Sequence, residues 1–172
     1  MNRFINLTNL ELKVFTEQNA SDYCQINNIN QSHILRLDLG YNQLTDISGI
    51  KLFKNLEYLH FNKIKNISVL KYLVNLKELN IGDNEIKDIR VLKNLINLKW
   101  LYINNNKVSD ISVLKYLNKL KYLDLRYLEL ESDLFKYIKN LNNLKDLWCY
   151  KGFKDMSIIN QLNRNINIIV VK

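Results

Sequence analysis

The sequence predicts an α/β solenoid. Each repeat of the curved array gives one strand to a parallel sheet on the concave side. A short helical or 3₁₀ segment returns the chain along the convex side. Three observations predict this. ISVLKYL fills Ile67–Leu73 and recurs unchanged at Ile111–Leu117, 44 residues on. IRVLKNL, Ile89–Leu95, sits midway, 22 residues from each. A core of the form L-x-x-L-x-L starts at Ile34, Leu56, Leu76, Leu98, Leu120 and Leu144, always ahead of such a block. A fixed period of this length marks stacked units that cannot bury their apolar face alone.

The elements follow in chain order. Residues 1–33 fit the period poorly, and a solenoid end exposes core unless it is capped. They are expected to form an N-terminal cap: a strand through ELKVF (Glu11–Phe15), then a helix around Ser21–Asn28 with Tyr23 and Ile26 turned inward. The array proper is expected over 34–172, about six repeats and a closing strand. In the third repeat Leu76, Leu79, Ile81, Ile86 and Ile89 should point inward. Glu78, Asn80 and Gly82 alternate with them onto the concave face. Asn42, Asn84 and Asn106 end three strands, where a side-chain amide can satisfy loop backbone groups that stacking buries. Asp46, Asp88, Asp110 and Asp155, with Asn66 as equivalent, precede the I-x-x-L blocks and are expected to cap them.

Two repeats depart from the period. The second is two residues short and lacks the Asn, with Ile64 matching Ile86. The fifth is two residues long and carries Leu128 in its place. Leu134, Ile138 and Leu141 then fall at helical spacing, so a longer helix is expected from near Ser132. The acidic string Glu129–Asp133 suits the entry to that helix. INIIVV closes the array with an apolar strand.

The pattern L-x-x-L-x-L-x-x-N-x-L/I-x-D-I over roughly 34–172 resembles the leucine-rich repeat family. The class is the 22-residue one of the phosphatase-1 regulatory subunit and bacterial internalins. The resemblance implies a protein-interaction scaffold, with regulation of an enzyme such as a phosphatase as a narrower expectation. It rests on repeat type alone, so no binding residue is carried over.

Composition bounds the function. The chain has 172 residues, 25 Lys and Arg against 17 Asp and Glu, no proline and four glycines. With so few glycines, tight connections must be stabilised by other means. Cys24 and Cys149 are too few for a disulfide framework, which favours a reducing compartment. The start shows no signal peptide, and no run of about 18 apolar residues exists to span a membrane. A cytoplasmic, monomeric protein without cofactor is expected. Four glycines build no phosphate loop, no ligand spacing suggests zinc, and Cys149 takes an inward position away from His60. An enzyme is therefore not expected.

The register also names the concave wall. Its first column reads Arg36, Tyr58, Glu78, Trp100, Tyr122, Asp146. The second reads Asp38, His60, Asn80, Tyr102, Asp124, Trp148, and the third Gly40, Asn62, Gly82, Asn104, Arg126, Tyr150. Both tryptophans of the chain land here. Tyr58, Trp100, Tyr102, Tyr122, Asp124, Arg126, Asp146, Trp148 and Tyr150 are the candidate protein-binding residues, because aromatic and Arg side chains dominate interface energies. The alternative is ring stacking that only stabilises the sheet. Lys77, Lys99, Lys121 and Lys145 recur along one edge. They offer a second function, nucleic-acid or anionic-surface binding, disfavoured because acidic residues lie between them and the aromatics.

Overall fold

The computed structural model describes residues 3–130, 135–150 and 166–171. Among these, eight strands form one parallel sheet in chain order. They are β1 (Phe4–Asn6), β2 (Arg36–Leu39), β3 (Tyr58–Phe61), β4 (Glu78–Asn80), β5 (Trp100–Tyr102), β6 (Tyr122–Asp124), β7 (Asp146–Tyr150) and β8 (Asn167–Val171). Between them run 3₁₀ segments at Ser48–Leu52, Ser68–Tyr72, Arg90–Asn94 and Ser112–Tyr116. Both copies of ISVLKYL take the same conformation because each meets the same kind of neighbour.

The core runs between the sheet and these segments. Leu59, Leu79, Leu101, Leu123 and Leu147 are its central line, all fully buried. Each of these 3₁₀ segments is capped as expected, by a side chain two residues ahead of its first residue. The Ser48 N–H donates to Asp46 Oδ1 (2.7 Å), Arg90 to Asp88 (2.9 Å), Ser112 to Asp110 (2.8 Å) and Ser68 to Asn66 (2.9 Å). Asp155 and Ser132–Leu134 lie outside the described residues. The helix after the fifth repeat, α2, is described over Phe135–Ile138, and Ile138 and Leu141 are buried.

The Asn ladder works backwards along the array. Asn106 Nδ2 donates to Ile81 O (2.7 Å) of the preceding repeat, and its Oδ1 accepts from Ile86 N (3.0 Å). Asn84 does the same for the short second repeat, donating to Phe61 O and accepting from Ile64 N. Each of these turns also passes through the left-handed region without glycine: Tyr41, Lys63, Asp83, Asn105 and Tyr127 have φ of 50–64°. No glycine of the described chain has positive φ. At Tyr41, Asp83 and Asn105 the ladder asparagine that follows, and not glycine, holds the turn.

The N-terminal segment corrects two expectations. Its strand is Phe4–Asn6, paired in register with Arg36–Asp38, whereas the ELKVF stretch makes only a single bridge, Val14 to Asp46. Asn42 reaches back to Leu7 O and accepts from Leu10 N and Leu12 N, so this coil is stapled like any repeat. The following helix, α1, spans Glu17–Ile26 and is capped by Thr16. It buries Ala20 and Cys24, while Ile26 is 82% exposed. Ala20 and Cys24 are four apart and define the inward face; Ile26 sits off it, in the last turn.

Gly49 explains where α1 docks. Its slot holds Val69, Val91 and Val113 in the other blocks. A Cβ at Gly49 would stand 2.4 Å from Thr16 O and 2.7 Å from Phe15 O, both backbone atoms. The Gly49 N–H instead donates to Phe15 O at 2.7 Å. Side chains occupy this slot elsewhere; here it is left open for the backbone entering α1.

Candidate functional site

Pairing from β3 to β7 aligns Tyr58, Glu78, Trp100, Tyr122 and Asp146 as direct neighbours, and His60, Asn80, Tyr102, Asp124 and Trp148 beside them. Each row alternates with the buried leucines, so the whole set leaves the sheet on the concave side. The sequence-derived columns are therefore the columns of the structure. What they do there is less uniform.

Tyr102, Tyr122 and Trp148 form one stack. Ring centroids lie 4.8 Å apart for the tyrosine pair and 6.3 Å for Tyr122 and Trp148. The Arg126 guanidinium covers the Trp148 ring at 4.6 Å. Its fork closes on Asp124, Nε to Oδ1 at 2.9 Å and Nη2 to Oδ2 at 2.6 Å, and its backbone N–H adds a bond to Oδ1 at 3.1 Å. Asp124 is only 1% exposed. Expected as a contact residue, it lies beneath the aromatic layer and holds Arg126 in place. A carboxylate at that depth must be paired, and the bidentate guanidinium is the geometry that pairs it best.

Burial sets the tyrosine chemistry. It pushes the Tyr122 hydroxyl up to about 12, with Asp124 adding to the effect. It raises Tyr102 as well, with Glu78 and Asp124 contributing. Tyr58 is likewise pushed up to about 12, by burial and then by Asp38. All three remain neutral hydrogen-bonding groups at physiological pH. The Trp148 Nε1–H is buried and has no acceptor among the described residues.

Trp100 stands apart from the stack and is 36% exposed. Tyr58 carries the Arg36 guanidinium 4.0 Å over its ring. Asp146 Oδ1 accepts from Asn167 Nδ2 at 3.1 Å. Tyr150 ends β7; its side chain lies outside the described ones. The predicted patch thus resolves into two parts: a stack of Tyr102, Tyr122 and Trp148 under Arg126, and a row of Tyr58, Glu78 and Trp100.

The lysines follow the edge as expected, but the first of them is neutralised. Lys77 Nζ donates to Glu57 Oε1 at 2.6 Å. Behind them runs a second Asn ladder that the sequence reading missed. Asn55, Asn75, Asn97 and Asn143 each donate to a carbonyl of the preceding repeat: Ser32, Lys54, Val74 and Asn118. The signal was present, since these asparagines stand directly before the first Leu of their cores.

The chemistry of catalysis is weakly represented. His60 Nδ1 lies 2.9 Å from Asp38 Oδ1. Burial pushes the Cys149 thiol up to about 11, away from a nucleophilic thiolate. Among the described residues no group of three His, Cys, Asp or Glu could hold a metal, and no helix is long and apolar enough to cross a membrane.

A family description of two leucine-rich repeats matches residues 54–94 and again 74–116, and a single-repeat description matches 30–53. Together with the eight-strand parallel register, this decides the family. The chain is a leucine-rich repeat protein. An internalin from Listeria monocytogenes is 27% identical, with a TM-score of 0.71, over 97% of this chain and 54% of its own. A leucine-rich repeat protein from Leptospira interrogans is 26% identical, with a TM-score of 0.77, over 96% of this chain and 48% of its own. This leucine-rich repeat chain therefore spans about half the length of both. A plant peptide hormone receptor in complex with RGF2 shares the fold, with a TM-score of 0.65 at 13% identity over 86% of this chain and 25% of its own. No curated protein matches. Leucine-rich repeat arrays generally serve as protein-binding scaffolds through the extended surface that their curvature creates.

Proposed function

We propose that this leucine-rich repeat protein is a non-enzymatic scaffold that binds a partner protein on its concave wall. Trp100, Tyr102, Tyr122, Trp148 and Arg126 form the contact core, with Tyr58 and Asp146 at its margins. One observation carries the reading. A fully buried carboxylate, Asp124, holds Arg126 over the Trp148 ring. Stacking alone would stabilise the sheet without that buried charge; a fixed Arg on an aromatic layer is what an interface needs, because little side-chain entropy is left to lose. A partner enzyme under regulation would occupy the same wall. The two buried, unpaired thiols fit a reducing compartment.

The test is capture of partners from native cells with wild type and with the Trp100→Ala and Trp148→Ala variants. Each substitution is expected to cost about 2 kcal/mol or more of partner affinity, while the array stays folded. The interaction should tolerate moderate salt, whereas phosphate binding would fall steeply with it. If both tryptophan variants bind like wild type while loss of Lys99 and Lys121 abolishes binding, the edge lysines carry the function instead.

A further inference from the structure

Most charge on the concave wall is already satisfied. Asp124 pairs with Arg126, and Asp38 with His60. Arg36 lies flat on Tyr58. Glu78 is the exception. It is half-buried, yet it takes part in no salt bridge or side-chain hydrogen bond among the described residues. Its Cα partners in the flanking strands are Tyr58 on one side and Trp100 on the other. Tyr102 is close enough to feel its charge, as is Tyr58. Tyr58, Glu78 and Trp100 line a depression of about 320 Å³, together with the paired Glu57 and Lys77 and, at its N-terminal side, Arg3 and Arg36. Arg36 is held at 4.0 Å over Tyr58, with one strand between it and Glu78; its charge acts on the carboxylate but forms no ion pair with it.

An unpaired, half-desolvated carboxylate between aromatic rings is a poor arrangement for an empty protein. Burial costs the carboxylate hydration, and the ring faces offer it nothing in return. The same arrangement suits a cation twice over. The carboxylate supplies a charge-assisted hydrogen bond, and the half-exposed Trp100 ring supplies cation–π attraction, the Tyr58 ring being already covered by Arg36. An acidic ligand would meet the charge of Glu78 itself, and an apolar one would leave it buried without a partner.

We propose that Tyr58, Glu78 and Trp100 form a subsite for a cationic side chain, lysine or arginine, presented by the bound partner protein. This rests on the reading of the concave wall as the binding face and adds the chemistry of one contact. The subsite is separate from the Tyr102, Tyr122 and Trp148 stack, so the two can be tested apart.

The probe is the blocked tripeptide Ac-Gly-Lys-Gly-NH2, titrated into the full chain and followed by the Trp100 indole signal in NMR spectra. Controls are the norleucine and glutamate analogues. Saturable binding of the lysine peptide is expected. Glu78→Gln should weaken it by about tenfold or more, and Trp148→Ala should leave it unchanged. The proposal is overturned if the norleucine or glutamate peptide binds as well as lysine, if Glu78→Gln binds like wild type, or if the lysine peptide shows no saturable binding. Trp148→Ala keeps the subsite while removing the larger stack. Loss of partner capture in that variant with peptide binding intact would separate the two contacts.

Discussion

Gly49→Val restores the residue that the other blocks carry in this slot, and it should nevertheless destabilise the protein. The added Cβ would meet Thr16 O at 2.4 Å and Phe15 O at 2.7 Å, so the backbone entering α1 has to move. Overpacking of this kind costs about 1–3 kcal/mol. Moving Phe15 also breaks the 2.7 Å bond that its carbonyl accepts from Gly49 N–H, worth about 1 kcal/mol. Against this, replacing a glycine narrows the unfolded ensemble and returns about 0.4–1 kcal/mol. The net expected loss is about 1–3.5 kcal/mol, with α1 bearing most of it. Denaturant unfolding gives the total. Hydrogen exchange localises it: the amides of Glu17–Ile26 should lose protection while those of β4–β6 keep theirs. Val69→Gly in the equivalent slot is the control, and it should lose about 1–2 kcal/mol through backbone entropy and the partly buried isopropyl group, with α1 left protected. A Gly49→Val protein as stable as wild type, with α1 still protected, would refute the docking argument.

Asn106→Leu keeps volume but leaves the buried Ile86 N–H without its acceptor and takes one of two donors from Ile81 O, which Asn84 still serves. It should cost about 3 kcal/mol in equilibrium unfolding, and a loss under 1 kcal/mol would mean the ladder is dispensable. Asp124→Ala strips the buried counter-charge from Arg126, at about 2–4 kcal/mol because the guanidinium can still reach water, and should weaken partner capture as much as Arg126→Ala does. Retained capture would show that Arg126 needs no anchor. Glu78→Gln should raise stability at neutral pH. Burial lifts the Glu78 carboxyl above its ordinary value of 4.5, so folding favours its protonated form and ionisation is a cost. That cost is absent below the unfolded value, grows as pH rises and is complete above the raised folded value. Melting curves of wild type and variant should therefore converge in acid and separate toward neutrality; parallel curves at every pH would show that Glu78 is not strained.

The repeat made the faces legible. Period and alternation fixed which side of the sheet each residue of β2–β7 leaves from, and the columns read from the text are the columns in space. The reason is physical: a stacked unit meets nearly the same neighbours every time, so its code is local and one-dimensional. The same logic failed where a residue's neighbours are unlike those of its repeats. Ile26 seemed to belong inside, yet Ala20 and Cys24 set the buried face of α1. Gly49 breaks the series Val69, Val91 and Val113 in the sequence, and the reason, the Phe15 and Thr16 carbonyls against it, is visible only in space.

Depth and pairing were decided only by the tertiary structure. Asp124, Glu78 and Asp146 share the concave wall in sequence terms. In space one lies under the aromatic layer with an Arg fork, one is half-buried with no ion pair, and one shares an oxygen with Asn167. A periodic pattern reports the direction in which a side chain departs. How far it then sinks, and what closes over it, depends on side chains from adjacent strands about 5 Å away, 20 or more residues distant in the chain, whose conformations no local rhythm encodes.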